Sequence, residues 1–180
     1  MGKIGLKSGD DVSGEVKEIL SAVEKKFGFA PNLMKVFASS AQTLKAYLAL
    51  GDLVAATSFS PEEQQLILLT VSRENECGYC LAAHTMIATN LANVDSEKVS
   101  ALKAGKNLQP DRHDRLVEFT SQVVKKRGFV TEEDVSKFKA AGFGDQQILE
   151  VILAVSMKTL SNYANHIADT PIDPQFSNQE

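Results

Sequence analysis

The sequence has no excess of basic charge, no long apolar run and only two cysteines. Nineteen Lys and Arg stand against twenty-three Asp and Glu, a formal charge of −4. Nucleic-acid binding needs a basic face that releases counterions, and this composition does not supply one. The longest strongly apolar stretches, Leu66 to Val71 and Val151 to Val155, fall far short of the roughly 20 residues of a membrane span. The opening MGKIGLKSGDD lacks the hydrophobic region of a secretory signal. Leu6 stands where a myristoylation signal carries Ser or Thr. Hairpin turns of the Asn-Gly or Asp-Gly kind are missing between alternating apolar runs, so strands are not expected. No glycine-rich phosphate loop, P-loop or Ser-His-Asp arrangement occurs. The expectation is a soluble cytoplasmic protein with no nucleic-acid or membrane partner.

What is present is helical spacing. The length, 180 residues, suits one domain. Val16, Ile19, Leu20, Val23 and Phe27 form one apolar face over Val12 to Phe27, and Gly28 stops it. Phe29-Ala30-Pro31-Asn32 reads as a connector, followed by helical segments over Asn32 to Ala38 and Ala41 to Ala56. Ser60-Pro61-Glu62-Glu63 combines a cap, a proline suited to the first helical position and acids at the positive end of the helix dipole. That helix is expected to reach Arg73 or Asn75. Further helices are expected from near Cys77 to Ala92, from Asp95 to Gly105, over Asp111 to Lys126, from a capping box at Thr131, and over Ile148 to Ile167. The predicted fold class is all-α, a single helical-bundle domain over residues 1–170 with a loosely held polar tail over 171–180.

The two cysteines, Cys77 and Cys80, are separated by two residues. So short a loop gains little from a structural disulfide, and in a reducing compartment such pairs are more often redox-active or metal-binding. On a helix turning about 100° per residue, Cys77, Cys80 and His84 fall near 0°, 300° and 340°, a cluster about 60° wide. Cβ atoms three residues apart are about 5–6 Å from each other, and a disulfide wants about 3.5–4.5 Å. A small distortion of the first turn closes the gap. A thiolate is the reactive form of cysteine, and the helix N-terminus together with the His84 imidazole would favour it at Cys80. Cys80 is therefore predicted to attack a peroxide, and Cys77 to condense with the resulting sulfenic acid into a disulfide. Two other readings stand beside this one. The thiols could be inert core residues, or they could join His84 as zinc ligands. The zinc reading needs a fourth ligand that no paired motif at His113 or His166 provides.

Glu74-x-x-Cys77-x-Tyr79-Cys80-x-x-x-His84 resembles the core motif of the alkyl hydroperoxidase D-like (AhpD-like) proteins of the carboxymuconolactone decarboxylase superfamily. Phe27 to Asn32 resembles the family's early connector. Asn162 to His166, followed by Thr170-Pro171, resembles its late helix and exit. The resemblance implies an all-helical protomer assembling into homo-trimers or hexamers. It implies a peroxidase that uses no cofactor or metal, in which Cys80 attacks, Cys77 resolves and His84 assists proton transfer. A small hydroperoxide would be the substrate, and a protein thiol or lipoyl-type dithiol the reductant. A redox-sensing oligomer without turnover, or a lactone decarboxylase-like enzyme on the same fold, are the rival readings.

Two positions depart from the family. Its proton-relay glutamate, twelve residues before the first cysteine, is Gln65 here, which cannot shuttle a proton. Glu62, Glu63 and Glu74 are the nearby carboxylates that could substitute. A histidine found between the cysteines in some members is Tyr79 here, which can pack or donate a hydrogen bond.

Overall fold

In a computed structural model, residues 4–108 and 112–177 are described, and among them every regular element is helical. The helices are α1 (Gly14–Phe27), α2 (Asn32–Phe37), α3 (Ala41–Ala55), α4 (Pro61–Glu74), α5 (Gly78–Asn90), α6 (Ser96–Lys103), α7 (Arg112–Lys125), α8 (Glu132–Ala140) and α9 (Asp145–Ala168). Short 3-10 turns occupy Gly9–Asp11 and Pro174–Phe176. The all-α expectation holds, with helix limits within a few residues of those read from the sequence. The expected start of α7 at Asp111 lies outside the described residues. No described helix is long and apolar enough to cross a membrane.

Local chemistry accounts for the helix ends. Gly28 closes α1 in the left-handed conformation (φ 80°), its N–H bonded to the Glu24 carbonyl at 2.8 Å. Ser60 caps α4 through a capping box: its hydroxyl accepts from the Glu63 N–H and the Glu63 carboxylate accepts from the Ser60 N–H. Thr131 and Asp134 do the same for α8.

Helix α4 is the central element, packed against α5, α6, α7 and α9. Its residues Leu66 to Ser72 are all buried, so it touches protein on every side. One apolar cluster joins α4 to α7, α8 and α9, with Phe138 stacked between Phe119 and Phe143 at centroid distances of 4.2 and 4.4 Å. A second gathers Leu20, Val23, Leu33, Met34, Phe37 and Leu44 around Cys77, Tyr79 and Cys80.

The junction between α4 and α5 sets the position of the cysteines. Asn75 caps α4, Glu76 takes a left-handed conformation (φ 55°), and the chain closes a Schellman motif. In it the Glu76 N–H bonds the Arg73 carbonyl and the Cys77 N–H bonds the Ser72 carbonyl, both at 2.9 Å. A left-handed non-glycine residue costs about 1–2 kcal/mol. The Glu76 side chain is exposed. Glu76→Gly is therefore expected to stabilise the fold by about 0.5–1 kcal/mol after the greater flexibility of unfolded glycine is counted. Thermal denaturation should register a rise of about 1–4 °C, and a fall would show that the turn does not depend on the backbone at position 76.

The C-terminal segment departs from expectation. Residues 171–177 are not loose but lie across the bundle, with Asp173 and Phe176 buried. A carboxylate and an aromatic ring, spaced three apart in a polar-looking stretch, anchor it. The remaining residues of the expected tail, 178–180, lie outside the described residues.

Candidate active site

Cys77 is the N-cap of α5, with extended backbone, and Cys80 lies in the first turn. His84 follows one turn later on the same helix. The cap geometry supplies the distortion that an ideal helix lacks, and brings the Cys77 thiol within hydrogen-bonding reach of Cys80. Both cysteines are free thiols, only 1% and 2% exposed.

The sulfurs meet one face of α9. Asn165 Nδ2 donates to Cys80 Sγ at 3.2 Å and to Cys77 Sγ at 3.8 Å. Ser161 Oγ lies 3.8 Å from Cys80 Sγ and 3.0 Å from the Lys158 carbonyl oxygen. Its single proton serves one of these at a time. Lys158 itself is 0% exposed, its Nζ without an oxygen or nitrogen partner among the described residues and directed to the Cys80 sulfur.

These surroundings divide the two thiols. The hydrogen bond from Cys77 pulls the Cys80 thiol well below its ordinary range. The Lys158 charge and Ser161 act in the same direction, against burial. Cys77, holding the shared proton and buried, is pushed well up. These surroundings favour the thiolate at Cys80 and the proton at Cys77.

His84, expected to help stabilise the thiolate, brings no positive charge to the site. Burial, and then the Lys158 charge, hold its imidazole well below its ordinary value, so it is neutral. Gln65 Oε1 is 3.0 Å from His84 Nδ1. The amide oxygen accepts from Nδ1–H, which leaves Nε2 of the neutral ring as an acceptor and possible base. Gln65 therefore orients the histidine instead of relaying protons. The sign of the linkage follows: an unfolded chain protonates this histidine below about pH 6.5 and the folded one does not, so stability falls as pH falls. The contribution reaches about 1.4 kcal/mol per pH unit. His84→Asn should make the pH dependence of urea denaturation shallower between about pH 6.5 and 5, and equal slopes would refute a buried neutral ring.

The three carboxylates offered as relays are engaged elsewhere. Glu62 bonds Lys98 at 2.8 Å and lies 3.6 Å from His113. Glu63 completes the Ser60 cap and accepts from Arg112 Nε at 2.9 Å. Glu74 accepts from Ser121 at 2.8 Å and pairs with Arg73 and Lys125. They tie α4 to α6 and α7, because helix geometry points them away from the α5–α9 seam. Tyr79 also points away from the sulfurs. Its hydroxyl donates to Asp173 Oδ2 at 2.6 Å and accepts from the Leu33 N–H at 3.2 Å. Phe176 meets its ring edge-on at 5.9 Å. His166 is exposed beside Tyr163, while its neighbours Asn162 and Asn165 face inward.

Sequence reasoning did not find Lys158, Ser161 or Asp173. The first two share a signal with Asn165: polar residues at i, i+3 and i+7, on one face of α9. Asp173 had none, since its role depends on a contact 94 residues away in sequence.

Residues 41–104, which span α3 to α6 and include both cysteines and His84, match the carboxymuconolactone decarboxylase family. Over nearly the whole chain, the structure is similar to an AhpD-core, peroxidase-related protein from Ralstonia eutropha JMP134 (TM-score 0.86, 19% identity, 97% of this chain and 94% of that one). It is also similar to a peroxidase-related protein from Silicibacter sp. TM1040 (TM-score 0.85, 21% identity, 99% and 95%). A third similar structure is a cysteine-to-alanine variant of the debrominase Bmp8 in complex with 2,3,4-tribromopyrrole (TM-score 0.81, 16% identity, 99% and 96%). No curated protein matches in sequence. The architecture is the AhpD-like helical fold. Its central stretch, residues 41–104, is similar to the carboxymuconolactone decarboxylase family.

Proposed function

We propose that this protein is a thiol-dependent peroxidase that reduces small hydroperoxides through Cys80 and Cys77. The observation that carries this reading is two free thiols on the opening turn of α5, both facing the Asn165 amide, which donates to Cys80 Sγ at 3.2 Å and to Cys77 Sγ at 3.8 Å. The Cys80 thiolate attacks the terminal peroxide oxygen, forming a sulfenic acid and releasing an alcohol. The Cys77 thiol then displaces water from that sulfenic acid, leaving a disulfide across the first turn of α5. A thiol or lipoyl-type dithiol restores both sulfurs. His84, neutral and held by Gln65, would assist by accepting a proton during this cycle.

The thiol pair suits the reducing cytoplasm, where it would be held reduced between turnovers. A homo-oligomer, trimer or hexamer, is part of the same proposal. Leu149, Ile152, Tyr163 and Ile167 leave an apolar stripe exposed along α9, which a neighbouring copy would cover. Steady-state consumption of an organic hydroperoxide with a dithiol reductant tests the function. Formation of the disulfide without turnover would leave the redox-sensing alternative, and thiols unchanged by stoichiometric peroxide would reject both.

A further inference from the structure

Lysine is almost never fully buried unless it is paired, and an uncompensated buried ammonium costs several kcal/mol. Lys158 is nonetheless wholly buried, and its Nζ finds no oxygen or nitrogen partner among the described residues; the polar group within its reach is the Cys80 sulfur. It lies on the same face of α9 as Ser161 and Asn165, three and seven residues on, and both of those touch the Cys80 sulfur. The titratable groups acting on it are Cys80 and Cys77, His84 one turn along α5, and Tyr47 from α3. The other packed elements send their charges elsewhere. On α4, Glu62, Glu63 and Glu74 bond Lys98, Arg112 and Ser121. On α2, Lys35 bonds Asn32. On α7, Arg115 pairs with Glu118 and Lys125 with Glu74. Tyr47 stays a neutral phenol because it is buried. Among the described residues, the anion that acts on Lys158 is a thiolate.

We infer that Lys158 is the charge partner of the Cys80 thiolate and the source of the proton that leaves with the reduced peroxide oxygen. The inference rests on the peroxidase reading for its second half only. The reduced site holds Cys80 S⁻, Cys77 SH and Lys158 NH₃⁺. The sulfur–oxygen bond forms as the oxygen–oxygen bond breaks, and the departing alkoxide takes a proton from the ammonium. The disulfide then forms with release of water from the sulfenic hydroxyl and the Cys77 proton. Two thiol sulfurs are oxidised, one peroxide is reduced to alcohol and water, and Lys158 is left as a neutral amine. That state suits it, since the disulfide no longer offers a counter-charge. Reduction by a dithiol returns one proton to Lys158 and one to Cys77. The lysine thereby supplies a proton that Gln65 cannot.

Two arms test this on the reduced full chain. In Lys158→Met, alkylation of Cys80 by iodoacetamide at about pH 7 should fall about tenfold or more, because the thiolate loses its charge partner. The rates of variant and wild type should converge at alkaline pH, where both are thiolates; a purely steric effect would persist at every pH. In Cys80→Ser, which leaves Lys158 in place, the Lys158 ε-carbon NMR signal should move to the position of a neutral amine at about pH 7. An unchanged alkylation profile in Lys158→Met, or an ammonium signal that survives in Cys80→Ser, would overturn the inference. If Lys158→Met does not fold, the second arm decides. Neither arm uses a peroxide, so a protein that shows both shifts without peroxidase turnover keeps the charge pair and loses the peroxidase reading.

Discussion

Replacing Cys80 by serine is expected to bring hydroperoxide consumption down to the rate seen without protein, whereas Cys77→Ser should permit a single oxidation and then stall. The difference follows from where the proton sits. Cys80 is the sulfur held as thiolate by the Cys77 hydrogen bond and the Lys158 charge, and serine at that position presents a hydroxyl far too weakly acidic to replace it. Cys77 holds the proton, so its loss does not remove the nucleophile. It removes the group that closes the disulfide, and Cys80 should accumulate as a sulfenic acid that dimedone traps in a one-to-one adduct. Cys77→Ser also takes away the first-named stabiliser of the thiolate, so the single oxidation should be slower than in wild type. Mass spectrometry of each variant after one equivalent of peroxide reads all three outcomes. A sulfenic acid at Cys77 in the Cys80→Ser protein would reverse the roles, and loss of reactivity in neither variant would dismiss the pair.

The second large effect concerns access. Both sulfurs are sealed in the protomer, so a reagent reaches them only when something moves. The C-terminal segment packs on the cluster that holds both sulfurs. The Asp173 carboxylate accepts the Asn32 N–H, shared between its two oxygens at 3.0 and 3.2 Å, and the Tyr79 hydroxyl, while Phe176 packs on Phe29 and Tyr79. Asp173→Ala leaves a buried amide N–H and a buried phenol without their acceptor, a loss of about 1–3 kcal/mol. If opening of this segment limits access, the Cys80 alkylation rate should rise by about 5–150-fold, the same free energy read as an equilibrium. Tyr79→Phe removes one of these two donors and should give a smaller rise. The pH profile of the reaction should keep its shape, because neither Asp173 nor Tyr79 touches a sulfur. An unchanged rate in Asp173→Ala would place the route elsewhere, through α1 or α2 instead of the C-terminal segment.

The helical architecture was legible because its signals are local. Ser60 with Glu63 and Thr131 with Asp134 write the starts of α4 and α8, and Gly28 writes the end of α1; each acts within four residues. The stripe formed by Cys77, Cys80 and His84 was legible for the same reason, since helix periodicity alone puts three such residues on one side. The charge at the site was not. Helix periodicity brought the imidazole to the thiols, but only burial and a lysine 78 positions beyond Cys80 decide that His84 is neutral and that the cation is Lys158. Glu62, Glu63 and Glu74 looked available because they are close in sequence to Gln65 and Cys77, yet α6 and α7 bring Lys98, Arg112 and Ser121 to claim them.

What the amino-acid order determined by itself, then, was an all-helical chain with two thiols and an imidazole on the opening turns of one helix. Tertiary structure alone decided which thiol bears the charge, what balances it and what covers it. Helix formation and capping act over a few residues of chain. The state of a buried ion depends on the solvent it has lost and on charges that packing brings near, and neither can be counted along a sequence.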